Sequence, residues 1–207
     1  MSHASGTLGD MLIVMAGLPA SGKSTIAAAA GRILGCSVVS VDPIEAALWT
    51  AGIERTQPTG LAAYVAAEAV AEAQLRLGGT VIIDAVNDAP AARQQWADLA
   101  ARTGVGLLFV EVITTDRTEH RRRLETRERG IPDFPEPTWD AVQARRASFD
   151  DWHGPRLRLD SDLPVAVNAR AIADAAGVTN RGCGFDRLSD PRTPATQARS
   201  ATANLYA

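Results

Sequence analysis

Short apolar runs alternate with longer segments of helical periodicity along most of this chain. Such alternation is typical of strands separated by helices, and continuous apolar runs indicate strands that are buried on both faces. The predicted strands are residues 11–16, 37–41, 80–84, 106–112 and 156–160. The predicted helices are residues 24–34, 43–49, 59–77, 90–102, 116–129, 138–151 and 167–176. The pattern therefore predicts an α/β fold, with a five-stranded, mostly parallel sheet and helices on both of its faces.

Glycine and proline residues indicate where several of the predicted helices begin or end. Gly35 is expected to end the first helix, and Pro43 to begin the second, because proline is tolerated in a first helical turn. Asp42 directly precedes Pro43 and so stands where a helix N-cap residue would stand. In a parallel sheet of this kind, ligands bind beyond the carboxyl ends of the strands. Polar residues at those ends are therefore the candidates for chemistry.

The segment between the first strand and the first helix matches a phosphate-binding loop. It reads Gly17, Leu18, Pro19, Ala20, Ser21, Gly22, Lys23, Ser24, and Thr25 follows it. In such a loop, backbone N–H groups and the helix N-terminus hold the β-phosphate. Lys23 would neutralise the β- and γ-phosphates, and the Ser24 hydroxyl would be a ligand of Mg²⁺. The alternative is a plain glycine-rich turn, but the strand–loop–helix context favours a site for a nucleoside triphosphate with Mg²⁺ and predicts a three-layer P-loop NTPase fold.

Further candidates follow the second and third strands. Besides an N-cap, Asp42 would serve as the general base that takes a proton from an attacking hydroxyl, or as a contact to Mg²⁺ or substrate. Asp84 ends the third strand, where a carboxylate holds the metal through water or contacts the acceptor, although aspartate is also common in turns. Asn87 and Arg93 come next along the chain. These two either contact the acceptor or serve as a loop cap and a solvated arginine.

Arginines are concentrated in residues 116–129. This segment is either an exposed helix with ion pairs between residues four apart, or a lid over a nucleotide. Arg123 and Arg127 are spaced to lie on one helical face, where two guanidinium groups can offset the charge of a transferring phosphoryl group. The proline-rich segment 131–137 cannot continue the helix and would act as its hinge.

Composition and charge narrow the classes of protein. The chain has 207 residues with 46% hydrophobic content, a formal net charge of −3 and a pI of about 5.6. The acidic balance disfavours nucleic acid as a partner. Two distant cysteines and the absence of a signal peptide or apolar span favour the cytoplasm, without a membrane partner. We expect a flexible arm over residues 1–10, one domain over 11–178 and a disordered tail over 179–207.

The order of these features resembles the P-loop kinases that phosphorylate small hydroxyl compounds or nucleic-acid ends. That grouping includes chloramphenicol phosphotransferase, gluconate kinase, the zeta toxins and the kinase half of polynucleotide kinase. The resemblance covers residues 11–178 and depends on the phosphate loop, Asp42, residues 81–87, Arg93 and the Arg123–Arg127 pair. It implies that the aspartate matching Asp42 activates the acceptor hydroxyl, while the lysine and the two lid arginines stabilise the phosphoryl group.

The resulting expectation is an ATP- and Mg²⁺-dependent kinase that acts on an alcohol of a small metabolite or antibiotic. One rival is a polynucleotide 5′-hydroxyl kinase, and another is an ATP-binding switch or toxin-like regulator without phosphotransfer. The acceptor itself is not identified, although its pocket is expected near residues 49–64. The oligomeric state also stays open.

Overall fold

The computed structural model describes residues 10–127, 131 and 134–177. The expected tail, residues 179–207, lies outside the described residues, as does the expected arm except for Asp10. The strands are β1 Met11–Ala16, β2 Ser37–Ser40, β3 Thr80–Asp84, β4 Gly106–Ile113 and β5 Leu157–Asp160. The helices are α1 Lys23–Leu34, α2 Val41–Thr50, α3 Thr59–Leu75, α4 Pro90–Thr103, α5 Arg117–Glu125, α6 Trp139–Ala144, α7 Arg146–Asp150 and α8 Val165–Ala175.

The five described strands form one sheet in the order β2-β3-β1-β4-β5, and every neighbouring pair is parallel. The sheet was expected to be mostly parallel, and this part of it is entirely so. β1 lies at the centre, with Met15 in register with Asp84 of β3. The loop that follows β1 therefore leaves the middle of the sheet beside the carboxyl end of β3, where the candidate polar residues were expected.

Two apolar layers cover the sheet, as the three-layer prediction requires. Leu12 and Val14 of β1 face α3 and α4, where Trp96 and Leu99 are fully buried. Ile13 and Met15 face α1 and α8 on the opposite side. Alternate residues of a strand point to opposite faces, so an uninterrupted apolar run can fill both layers.

A third, smaller apolar cluster lies beyond the carboxyl ends of the strands. Leu124 of α5, Val142 of α6 and Phe149 of α7 pack there against Ala16 and Leu18. Three short helices are thereby attached to the start of the loop that follows β1, so this end of the sheet is partly roofed.

Asp42 is not a helix N-cap, contrary to its predicted position. β2 ends at Ser40, which is the residue before α2, and Val41 and Asp42 already belong to the first helical turn. Val41 is buried in the apolar layer with α3, which brings the start of the helix forward. Pro43 remains acceptable because N–H groups of the first turn have no intrahelical partner.

Other helix boundaries also differ from the prediction. α5 ends at Glu125, where the backbone N–H and the hydroxyl of Thr126 both donate to the Arg122 carbonyl, at 3.0 Å and 2.8 Å. The helix expected over 138–151 is two short helices that meet at Arg145. Among the helices of the described ranges, none has the length and apolar character that crossing a bilayer requires.

Candidate active site

The segment from Gly17 to Ser24, here called the phosphate loop, turns sharply between β1 and α1. The turn uses positive φ angles at three residues: 149° at Gly17, 62° at Ala20 and 89° at Gly22. The Gly17 N–H donates to the Val86 carbonyl at 3.0 Å, and this bond ties the loop to the segment after β3. α1 then begins at Lys23, so its first N–H groups, which have no intrahelical partners, face the space that the loop encloses.

Gly17 is required by close packing as well as by its backbone angle. A Cβ atom at this position would lie 2.5 Å from the Val112 carbonyl oxygen and 2.9 Å from the Ser21 hydroxyl oxygen. Ser21 is itself buried, so neither neighbour has room to withdraw. The loop is thus pressed against the end of β4 and cannot take a side chain at this residue.

The phosphate loop and the arginine helix enclose a cleft of ≈ 170 Å³, here called the lid cleft. Its walls are Ala20, Gly22, Lys23, Ser24, Thr25, Arg123 and Arg127. The predicted meeting of the two arginines with the loop is therefore found in the structure. The predicted reason is wrong, because Arg127 lies beyond the end of α5 and does not share a helical face with Arg123.

Arg123 is held by three side chains around the lid cleft. Its guanidinium donates to Glu119 at 2.8 Å, to the Ser161 hydroxyl at 2.9 Å and to Asp162 at 3.2 Å. Hydrogen bonds from Arg122 and then Arg123 lower the pKa of Glu119 to about 2, so this carboxylate stays charged. The loop after β5 thereby joins the site, and the Ser161 Cβ lies 3.3 Å from where a Gly22 Cβ would be.

A second and larger cleft, of ≈ 460 Å³, opens on the other side of Lys23 and is here called the α2 cleft. Asp42 and Glu45 reach it from α2, and the segment Phe134–Pro137 forms part of its wall. The other charged or hydroxyl-bearing residues that line it are Lys23, Tyr64, Asp88, Glu136 and Arg145. The structure therefore brings Asp42 and the loop lysine to one cavity, as the sequence led us to expect.

Lys23 is the single lysine of this chain, and the other 20 of its 21 Lys and Arg residues are arginines. Its side chain is 5% exposed and borders both clefts. The ammonium group is thus placed between the two spaces, and nothing in composition or periodicity alone would have shown this shared position.

Asn87 and Arg93 make contacts that stabilise the loop after β3, rather than lining either cleft. The Asn87 amide donates to the Met15 carbonyl at 2.7 Å and accepts from the Trp96 indole at 2.8 Å. Arg93 donates to the Asn87 carbonyl at 3.1 Å, and its guanidinium lies 4.6 Å from the Trp152 ring centre. Both are buried, and the described contacts agree with the loop-stabilising alternative for Asn87, whereas Arg93 is not the solvated arginine that was the alternative to an acceptor contact.

Asp84 and Ser24 provide a test of whether Mg²⁺ fits this site. Asp84 is 6% exposed, and one of its oxygens accepts from the Ser40 hydroxyl at 3.1 Å. Its other oxygen has no hydrogen-bond partner among the residues that the structure describes. A buried carboxylate oxygen left over beside the loop, together with the exposed Ser24 hydroxyl, is the oxygen donor set that Mg²⁺ prefers. The residues therefore fit the metal.

Three contributors to the site were not singled out from the sequence, and for two of them the pattern carried no clear signal. Tyr64 accepts from the Asn87 N–H at 3.3 Å, and burial raises its pKa to about 12, so the phenol stays protonated. The His120 Nε2 lies 2.8 Å from the Pro19 carbonyl and supports the phosphate loop from behind, while burial lowers its pKa. Glu45 is the exception, because its spacing of three from Asp42 on a helix places both on one face.

The central loop, the parallel sheet and the helices on both faces define a P-loop NTPase. Residues 12–149 match the sequence model of the AAA domain family, and the chain belongs to that family. No curated protein sequence matches the chain.

Solved structures of kinases share the fold. The APS kinase of Mycobacterium tuberculosis, in complex with AMPPNP and APS, is 20% identical with a TM-score of 0.61, covering 80% of this chain and 96% of its own. A gluconokinase of Sinorhizobium meliloti is 19% identical with a TM-score of 0.55, covering 80% and 90%. The tunicamycin resistance protein of Deinococcus radiodurans is 17% identical with a TM-score of 0.60, covering 82% and 97%. The expected P-loop kinase-like fold is thereby confirmed.

Proposed function

We propose that this protein is a phosphotransferase that moves the γ-phosphoryl group of ATP to an alcohol of a small molecule. The observation that carries the proposal is the position of Lys23, which borders both the lid cleft and the α2 cleft. A triphosphate held on the phosphate loop would direct its terminal group past this lysine toward Asp42. The likeness in fold to APS kinase and gluconokinase supports the class of reaction.

In the proposed reaction, the acceptor hydroxyl binds in the α2 cleft and loses its proton to Asp42 as it attacks phosphorus. The bond from γ-phosphorus to the bridging oxygen breaks, and ADP leaves. Lys23, Arg123 and Arg127 offset the negative charge that spreads over the phosphoryl oxygens in the transition state. Catalysis is then mainly the positioning of the two substrates and the stabilisation of charge in the transition state. The base lies in the α2 cleft and the cations border the lid cleft, as this mechanism requires.

Ser24 and Asp84 are the residues that would hold Mg²⁺. When bound, the metal would neutralise part of the β- and γ-phosphate charge. Asp84 keeps one carboxylate oxygen for this purpose, because its other oxygen already accepts from Ser40.

The rival functions receive less support from the site. A polynucleotide 5′-hydroxyl kinase needs cationic surface along its acceptor path. The α2 cleft instead contains four carboxylates, at Asp42, Glu45, Asp88 and Glu136. A nucleotide-binding switch needs no second cleft beside the phosphate loop, so the presence of the α2 cleft supports a kinase over a switch.

The single lysine permits a direct test of nucleotide binding. An acyl-phosphate derivative of ATP should acylate Lys23, the single lysine of the chain, and excess ATP should prevent the reaction. ADP release would then be screened over antibiotics, nucleosides, sugar acids and nucleic-acid ends. Asp42→Asn should keep ATP binding and lose acceptor-dependent ADP release, and Lys23→Ala is the inactive control. Full turnover by Asp42→Asn would remove Asp42 as the base, and unprotected or absent labelling would refute nucleotide binding.

A further inference from the structure

We infer that the acceptor is an amino alcohol whose ammonium group binds Glu45 in the α2 cleft. This inference rests on the proposed function, because it assigns a chemical class to the substrate of that site. Its starting point is a cavity of ≈ 460 Å³ beside Lys23, large enough for a small organic molecule. The charges and contacts within that cavity then decide which kind of alcohol it suits.

The α2 cleft is negatively charged overall. Carboxylates of Asp42, Glu45, Asp88 and Glu136 outnumber the two cations that line it, Lys23 and Arg145. Glu136 is offset by Arg127, whose Nη1 lies 3.7 Å from the Glu136 carboxylate, so Asp42 and Glu45 supply the excess negative charge. Arg145 lies near Asp88, with 3.8 Å between its Nε and a carboxylate oxygen. Lys23 would also pair with the triphosphate, so its positive charge would offset the α2 carboxylates only in part. An acceptor with a carboxylate, sulfate or phosphate would be repelled here, whereas a cation would be attracted.

Glu45 is held in place by a chain of two hydrogen bonds behind the cleft wall. The Trp49 indole N–H donates to the Thr59 hydroxyl at 3.0 Å, and that hydroxyl donates to Glu45 Oε1 at 2.8 Å. Thr59 is 4% exposed, and its hydroxyl has one proton, so the indole fixes the direction in which that proton points. The carboxylate is thereby oriented before any ligand binds, and this lowers the entropic cost of recognition.

The neighbourhood of Glu45 leaves room for a ligand group. Gly60 also lines the cleft, and a Cβ atom there would lie 3.5 Å from Glu45 Oε1. A carboxylate only accepts hydrogen bonds, so its ligand must donate, and a charged N–H donor gives the stronger bond. Asp42 and Glu45 lie one helical turn apart on the same face of α2. The amine and the reacting hydroxyl are therefore close together on one compact scaffold, as in amino sugars and aminocyclitols.

Two matched series of probes test the inference. The first is glucosamine, glucose and gluconate, and the second is 2-deoxystreptamine and myo-inositol, each assayed at pH 7 by ADP release with saturating ATP. The amines should have a kcat/KM about tenfold or more above the neutral compounds, and gluconate should be the poorest acceptor. Glu45→Gln should remove about tenfold of the preference for amines, mainly through KM.

Two further variants separate recognition from folding. Glu54→Gln changes an exposed carboxylate that does not line the α2 cleft, and it should leave every rate unchanged. Thr59→Val keeps the volume of the side chain but removes the hydroxyl that orients Glu45, so it should raise KM for the amines alone. The affinity for ATP, measured separately by calorimetry, should be the same in all these variants.

The outcomes distinguish this inference from the proposed function. Faster transfer to glucose, myo-inositol or gluconate than to the matched amines overturns the amino-alcohol assignment and leaves the kinase proposal standing. Equal selectivity in Glu45→Gln and wild type also overturns it. ADP release from no probe at all, with ATP bound, likewise counts against the amino-alcohol class, while failure to bind ATP refutes the proposed function itself.

Discussion

Gly17→Ala is the sharpest test of how the phosphate loop is built. The substitution adds one methyl group at a residue whose φ is +149° and whose Cβ would lie 2.5 Å from the Val112 carbonyl oxygen. Two separate costs are expected, one from the backbone angle and one from the collision. Because Val112 belongs to β4 and is 1% exposed, relief would require moving the loop away from the sheet.

Gly79→Ala is a matched control that isolates the first cost. Gly79 also has a positive φ, of +115°, but no heavy atom lies within 4 Å of its Cβ position. Holding alanine at such an angle costs about 2 kcal/mol, which lowers the unfolding midpoint by about 4–8 °C for a chain of this length. The collision at Gly17 adds about 2 kcal/mol more, for a total loss of about 8–16 °C.

Thermal unfolding and ATP calorimetry of both variants give the comparison. Gly79→Ala should bind ATP like the wild type, since Gly79 precedes β3 and its carbonyl accepts from Met11, at the end of β1 opposite to the phosphate loop. Gly17→Ala should lose ATP binding in addition to its larger loss of stability. If its midpoint equalled that of Gly79→Ala and it still bound ATP, the argument from close packing would be refuted.

Three further predictions concern a buried amide, a histidine and the lid. Asn87→Ala should lower the unfolding midpoint by about 6–12 °C, because it leaves the Trp96 indole and the Met15 carbonyl without partners, at a cost of about 3 kcal/mol. An unchanged midpoint together with a loss of phosphoryl transfer would instead favour a contact between Asn87 and the acceptor. Burial holds the pKa of His120 below its ordinary 6.5, so the unfolded chain takes up that proton first. The free energy of unfolding in urea should therefore fall as pH drops below 6.5, and His120→Gln should remove this fall. Arg127→Ala should lower kcat about 100-fold or more, whereas the exposed Arg121→Ala should not, and equal rates would exclude a lid role.

Local sequence was enough to predict the phosphate loop and the sheet. The loop has a fixed spacing of glycines, lysine and serine, and each residue type is required by phosphate geometry, so no distant contact is needed to find it. The central strands β1 and β3 were predictable because each is a short apolar run whose two faces are both buried. The loop and these strands can therefore be found from residue types and spacing within a short stretch of sequence.

Tertiary contacts decided the points where the prediction failed. Val41 is buried against α3, and α2 starts before Asp42, so the N-cap interpretation, one of the two given for Asp42, does not hold. Thr126 is the C-cap of α5, and its hydroxyl donates to the Arg122 carbonyl. Arg127 therefore lines the lid cleft from beyond the helix, and not from a shared helical face as predicted. The side chains of Asn87 and Arg93 bond to partners five or more residues away, and no spacing rule reveals such partners.

Charge differs in sign between the two clefts, and this difference bears on how the reaction can be selective. Arg123 and Arg127 line the lid cleft, while four carboxylates and Arg145 line the α2 cleft. Lys23 borders both clefts, and Glu136 of the α2 cleft lies 3.7 Å from Arg127. A triphosphate is therefore attracted to one side and repelled from the other, so the nucleotide and the acceptor cannot easily exchange places. The same separation has a cost, because Asp42 must approach a negatively charged phosphoryl group. A cation at the boundary offsets that repulsion, so the lone lysine should matter more to the rate of transfer than to the affinity for the acceptor.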